Sequence, residues 1–302
     1  MNVLSDMIPQ ETSESCFGEN HFVKNLSASL FCFVLCLFLC NCVGNKEPVV
    51  KFPGTPGIVT LPGNVDIEMV RVESEPFMMC ERDSENATNE KEHYVRLTRE
   101  FWIGKTEVTQ AQWKAVMGTN PAHFQSSWGK IWTWFRDDRP VECVSWNDCK
   151  EFCKKLNQMC VGRLPVGYQF DLPTEAQWEF ASRGGQKNRG YRYSGSNDID
   201  DLAWYWNNSG AETHTVGKKA PNQLELFDMS GNVWEWCRDS YEENCARDPE
   251  FLNGNEGTNR VYRGGCWHGQ VRSCRSAFRA FGDPATRAND LGFRLALVPV
   301  QK

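Results

Sequence analysis

Across residues 66–302 the chain shows hydrophobic periodicity only in a few short stretches, separated by long runs of Gly, Asn and Trp with no period. It must form a loop-rich domain clamped by a small number of elements. Three of these carry helix-start signals. Thr109 precedes QAQWKAVM, with Gly118 as the stop, and Ser145 precedes WNDCKEFCKKLNQ, with Trp146, Cys149, Phe152, Cys153 and Leu156 on one stripe. Thr174, after Pro173, precedes EAQWEF, with Gly184 and Gly185 beyond. Short alternating runs predict strands over 67–72, 101–108, 261–263 and 292–298. At 40% hydrophobic and 24% charged residues the composition is that of an ordinary globular chain. A net charge of −6 gives no electrostatic reason to expect a nucleic-acid partner.

The N-terminal region is patterned differently. Residues 30–39 read LFCFVLCLFL, an unbroken apolar run preceded by Lys24. The run is too short for a membrane-spanning helix, which needs about 20 residues, and has the length of a signal-peptide core. It stops at Cys40, Asn41 and Cys42, so it resembles a bacterial lipoprotein signal. Cys42, after the small polar Asn41, fits the lipidated position better than Cys40, after the bulky Leu39. The alternative is a short buried apolar segment, although its flanks do not look like a folded domain. Residues 1–21 are acidic and polar, unlike a signal n-region, whereas a start near Val23 gives a conventional one. Pro48, Pro53, Pro56 and Pro62, interleaved with glycines, exclude helix and favour an extended tether. The expected organisation is a signal region at 1–42, a tether at 43–65 and one domain at 66–302. The protein is expected to be exported and lipid-anchored at the outer cell surface. Export permits disulfides among the nine cysteines from Cys80 to Cys274, an odd number whose spacing assigns no pairing.

Five segments in order carry a family resemblance: FWIGKTEVTQAQWKAVMGTNP at 101–121, RPVECVSWNDCKEFCKKLN at 139–157, DLPTEAQWEFASRGG at 171–185, LFDMSGNVWEWCRDSY at 226–241, and RVYRGGCW with CRSAFR and LGFRLAL over 260–297. They resemble the formylglycine-generating-enzyme, or sulfatase-modifying factor, family. The resemblance implies an α+β fold, a C-type-lectin-like variant with two main helices, small antiparallel sheets and extensive loops.

The family holds both catalysts and binders. Its enzyme oxidises a substrate cysteine to formylglycine with two cysteines that bind copper(I), and soft thiolates suit that ion. The resemblance places the second of these at Cys274 and the first at Gly269, so the thiolate pair is broken. Cys266 is the nearby substitute. The family's iron-dependent branch needs a histidine cluster, and His93, His123, His214 and His268 include no i, i+4 pair. The chain is therefore expected not to be an enzyme, with Cys274 as a lone redox thiol the alternative. Cys149, Cys153 and Cys160 could hold a metal by spacing but read better as core thiols. No cofactor is required on this reading. Asn232 and Glu235 in GNVWEW offer hard oxygens for a structural calcium, which family enzymes bind there, although this stretch could instead be core and turn.

The C-terminal residues are expected to carry the function. Arg263, Gly264, Gly265, Trp267, Cys274, Arg275, Ser276, Arg279, Pro284, Arg287, Gly292, Phe293 and Arg294 keep the family framework. Between them stand Cys266, His268, Gly269, Val271, Phe278, Ala280, Phe281, Gly282, Ala285, Thr286 and Ala288. This stretch resembles the variable region of the targets of diversity-generating retroelements, in particular a treponemal variable lipoprotein. Such elements rewrite template adenines, and every interleaved residue just named is reachable from an Asn codon; Gln270 is not. The candidate ligand-binding residues are Cys266, Trp267, His268, Gly269, Val271, Phe278, Ala280, Phe281, Ala285, Thr286 and Ala288. Phe278 and Phe281 are either exposed aromatic anchors beside small residues or buried core under the last strand. The expected partner is a protein or carbohydrate at the cell surface, with the membrane reached through the lipid anchor and no nucleic acid involved.

Overall fold

The computed structural model describes residues 48–51, 57–81, 90–125, 138–243 and 259–300. The apolar run at 30–39 and Cys42 lie outside them.

All three helix-start signals work as capping boxes. Helix α1 (Gln110–Met117), α2 (Trp146–Met159) and α3 (Glu175–Ser182) begin after Thr109, Ser145 and Thr174. Each cap side chain accepts from the backbone N–H three residues on, and that residue's side chain returns a bond to the cap backbone. Helix α2 buries Cys149, Phe152, Cys153 and Leu156 as its stripe requires, so the cysteine pair is core. Every residue of α3 is buried, which explains its weak periodicity. The described residues thus hold three α-helices, one at each start read from the sequence, the third adding to the two main ones that the resemblance implied.

Strands β1 (Val49–Lys51), β2 (Gly57–Leu61), β3 (Val65–Val72), β6 (Phe101–Gly104), β7 (Tyr168–Asp171) and β12 (Ala296–Pro299) form one sheet in the order β1-β2-β3-β6-β12-β7. A second sheet has the order β10 (Ala280–Gly282), β9 (Arg260–Arg263), β8 (Trp234–Ser240), β11 (Leu291–Gly292), and β4 (Pro76–Met79) pairs with β5 (His93–Arg96). Among the described residues, all pairings are antiparallel except β8 with β11.

The tether expectation needs correction. Residues 57–61 pair with β3, Gly57 opposite Met69 and Leu61 opposite Val65, and Val59 and Leu61 are buried. Their alternating burial overrides the Pro/Gly signal around them, so the folded domain starts before residue 66. The strand expected over 101–108 ends at Gly104. The expected closing strand over 292–298 is two short strands in different sheets, β11 beside β8 and β12 between β6 and β7. Between them Phe293 enters one core, and buried Arg294 is drawn to Glu235.

Two cores flank the large sheet. One combines Trp102 and Leu297 with Trp113, Phe152, Trp236 and Phe293, with Trp113 stacked on Phe152 at 5.4 Å. The other combines Ile103, Ala296 and Val298 with Trp178, Phe180 and Val261. Central strands buried on both faces alternate their side chains between the two cores.

Candidate functional site

The C-terminal segment is pinned from within by arginines. Arg263, fully buried, donates to the Ala277 and Ser276 carbonyls at 3.0 and 2.8 Å and pairs with Glu179. Arg279 donates to both oxygens of Glu175 at 2.6 and 2.8 Å. Arg275 reaches Glu81 at 2.6 Å and Glu90 at 2.9 Å. Arg294 grips both oxygens of Glu235 at 2.6 Å and donates to the Gly104 and Phe227 carbonyls. Burial opposes ionisation of Glu179, but the Arg183 and Arg263 guanidiniums overcome it and hold the carboxyl below its usual range. At the surface, Arg287 makes a two-point bridge to Asp148 at 2.8 Å.

The candidate ligand-binding residues divide by burial. Exposed are His268, Val271, Phe281, Ala285 and Thr286; half-buried are Trp267, Gly269, Phe278, Ala280 and Ala288. Phe281 stacks on Tyr241 at 3.8 Å on edge strand β10 and remains 43% exposed. Phe278 leans on Trp234 at 6.0 Å, and Trp234 in turn contacts Tyr262 at 5.2 Å. So one of the two phenylalanines is open and the other partly covered. Ala285 and Thr286 sit in a turn whose N–H groups are held by Asp283.

Three candidates are constrained by their surroundings. Cys266 is 1% exposed, so its side chain is no open contact. Ala288 packs partly against the first core, and its carbonyl accepts the Cys143 N–H. Gly269 is tight: a Cβ there would lie 2.7 Å from the Ser273 Oγ and 3.1 Å from the Cys266 carbonyl, so most replacements displace the turn.

The oxygens named for a structural calcium are engaged within the protein. Asn232 Oδ1 accepts the His214 N–H at 2.9 Å, while its Nδ2 donates to Glu107 at 2.6 Å. Both Glu235 oxygens are occupied by Arg294, and one also accepts the Trp178 indole N–H. A cation would face a buried guanidinium and find these oxygens committed, so Asn232 and Glu235 do not fit a calcium ion.

Cys274 is fully buried, and burial pushes its thiol up to about 12. Burial, reinforced by Asp290, also pushes the Cys266 thiol up. Cys143, Cys149, Cys153, Cys160, Cys237, Cys266 and Cys274 form no disulfide. A concavity of about 400 Å³ is lined by residues including Lys150 and Asp171, and another of about 330 Å³ by residues including Asp66 and Phe227; neither is lined by the interleaved C-terminal residues.

Sequence reasoning missed several neighbours. Trp206, 68% exposed, donates its backbone N–H to the Gly269 carbonyl at 3.1 Å. Phe124 meets Trp267 edge-on at 5.4 Å, and Tyr241 underlies Phe281. Trp206 and Phe124 come from loops with no period, so spacing gave no signal that would bring them to this face.

Caps, sheets and arginine clamps together define an α+β domain of the formylglycine-generating-enzyme type, a C-type-lectin-like variant. The chain belongs to the sulfatase-modifying factor enzyme 1-like domain family, whose model matches residues 58–298. The chaperone protein LppX of Paenibacillus barcinonensis is 33% identical over 242 residues, covering 65% of this chain and 79% of that protein. Treponema denticola variable protein 1 has the same fold at a TM-score of 0.69 and 33% identity, covering 83% of this chain and 100% of that one. The formylglycine-generating enzyme of Mus musculus is 30% identical over 216 residues, covering 64% of this chain. The chain spans about half of that enzyme's length, 54%.

Proposed function

We propose that this domain recognises a surface protein or carbohydrate through side chains of its C-terminal segment, on an exported, lipid-anchored protein whose contact residues are diversified by a retroelement. The observation that carries the reading is the division of labour along residues 263–294. Arg263, Arg275, Arg279 and Arg294 are buried in ion pairs, while His268, Val271, Phe281, Ala285 and Thr286 between them point outward. A backbone held by buried clamps tolerates changing outward side chains, which is what a diversified scaffold requires. The likeness to a treponemal protein named for its variability supports the same reading. Lipidation at Cys42 would hold the domain at the membrane.

DNA flanking the codons for residues 264–298 provides the test. A near-copy differing almost only at adenines, with differences concentrated on the exposed positions, is expected. Absence of such a copy leaves an undiversified lectin-like module. Once a ligand is selected, Phe281→Ala is expected to weaken its binding at least about tenfold with little change in Tm, because the ring is substantially exposed. A large loss of thermal stability with unchanged binding would sink the anchor role.

The catalytic alternative rests on kinship with the mouse enzyme. Against it stand Gly269 at the first thiolate position and the dry, protonated Cys274 thiol. Copper(I) uptake that disappears in Cys274→Ser would favour catalysis over recognition.

A further inference from the structure

One group of side chains on this face has the chemistry of a metal site rather than of a simple contact surface. Cys266 follows β9, His268 lies two residues on, and Asp290 immediately precedes β11. One ligating atom from each lies within 4.8 Å of the others. Cys266 Sγ is 3.6 Å from His268 Nδ1, and His268 Nε2 is 3.5 Å from Asp290 Oδ2. Two ligands of one tetrahedral zinc sit roughly 3.3–3.7 Å apart, given bonds of about 2.0–2.3 Å. The two distances run to different ring nitrogens, so closing on one ion from the 4.8 Å cluster requires the exposed His268 ring to turn and present a single nitrogen to both neighbours.

We propose that Cys266, His268 and Asp290 form a zinc(II) site with three protein ligands and a fourth position open to solvent. The donor set decides the metal. One thiolate, one imidazole and one carboxylate make a borderline mixture that suits zinc, whereas calcium takes oxygen donors alone and copper(I) prefers soft sulfur.

The arms bearing the ligands are tied together before any ion arrives. Gly269 N–H donates to the Cys266 carbonyl at 2.8 Å and closes the turn carrying the cysteine and histidine. Trp267, between those two residues, donates its backbone N–H to the Asn232 carbonyl at 2.7 Å and its indole N–H to the Asn289 carbonyl at 3.1 Å. The second bond joins the Cys–His arm to the residue before Asp290. Asp290 is held from its other side, its carbonyl accepting the Trp234 N–H at 2.7 Å. The Cys266 sulfur lies in the dry interior and the His268 side chain is 43% exposed, so a metal has both an anchor and an entry path.

The test is zinc(II) titration of the chelator-stripped full chain by calorimetry, with cobalt(II) as the spectroscopic substitute. The expected result is zinc uptake with a component that weakens at least about tenfold in His268→Ala and in Asp290→Asn. Cobalt should give a sulfur-to-metal charge-transfer band that is lost in Cys266→Ser. His268→Ala changes an exposed ring, so its Tm is expected to match the parent and a folding defect cannot mimic the loss. Zinc affinity unchanged in His268→Ala, or a cobalt–sulfur band surviving in Cys266→Ser, would place the metal on other groups and overturn the proposal. No uptake at all would overturn it too. The titration uses metal alone, so it reads whether or not the face recognises a ligand.

Discussion

Arg294 and Glu235 are both fully buried, and their pairing illustrates how the domain handles charge. Desolvating two ions is costly, and the mutual attraction offsets that cost only when geometry and remaining bonds are good. Here the carboxylate takes two guanidinium bonds and an indole N–H, and the guanidinium also serves two carbonyls. Arg294→Met leaves Glu235 buried without its cation and is expected to cost about 3–5 kcal/mol in urea unfolding. Adding Glu235→Leu should recover part of that loss, because the orphaned charge disappears with its partner. A double variant as unstable as the sum of the singles would show that the two side chains do not act as a pair.

The helices begin where their caps place them, while the final strands do not follow local pattern. Thr174 both accepts the Gln177 N–H through its hydroxyl and donates its own backbone N–H to the Gln177 side chain. Thr174→Ala should destabilise the domain by about 1 kcal/mol, read as a lower urea midpoint at unchanged slope. The last segment divides after Gly292, where the chain passes close to another backbone. A Cβ at that position would lie 2.3 Å from the Val141 carbonyl. No pattern of apolar residues in 291–298 could reveal that approach, since the partner lies about 150 residues earlier in the chain.

For the molecule as a whole, two cores share one sheet, and the C-terminal segment contributes side chains to both. Buried acids leave a signature in its pH dependence. Burial, with a smaller contribution from Glu175, raises the Asp239 carboxyl to about 7, and burial raises Asp228 to about 6. An unfolded Asp titrates near 3.9, so the folded state holds the extra protons between about pH 4 and pH 7. These two groups therefore favour folding below about pH 4, and that advantage is lost as pH rises through their folded values. Asp239→Asn is expected to gain Tm over the parent progressively from pH 4 to pH 8. A difference independent of pH would show that Asp239 is ionised throughout. The Glu179 carboxyl, held below its usual range, works in the opposite sense and loses its contribution as pH falls.

The sequence by itself determined what depends on near neighbours. Caps at Thr109, Ser145 and Thr174, the α2 stripe and the family motifs around Arg263 and Gly264 are local patterns, and local hydrogen bonding and burial enforce them. Tertiary structure alone decided the rest. It made residues 57–61 a sheet strand despite flanking prolines, because β3 offered a partner for their alternating buried face. It sank Cys266 while leaving Phe281 open, and it spent the oxygens of Asn232 and Glu235 on protein donors. It also brought Trp206 and Phe124 to the C-terminal face through contacts distant in sequence, and set Asp290 beside Cys266 and His268 within that segment. Exposure and pairing between distant segments are properties of packing, and a linear pattern carries them only when both partners share a period.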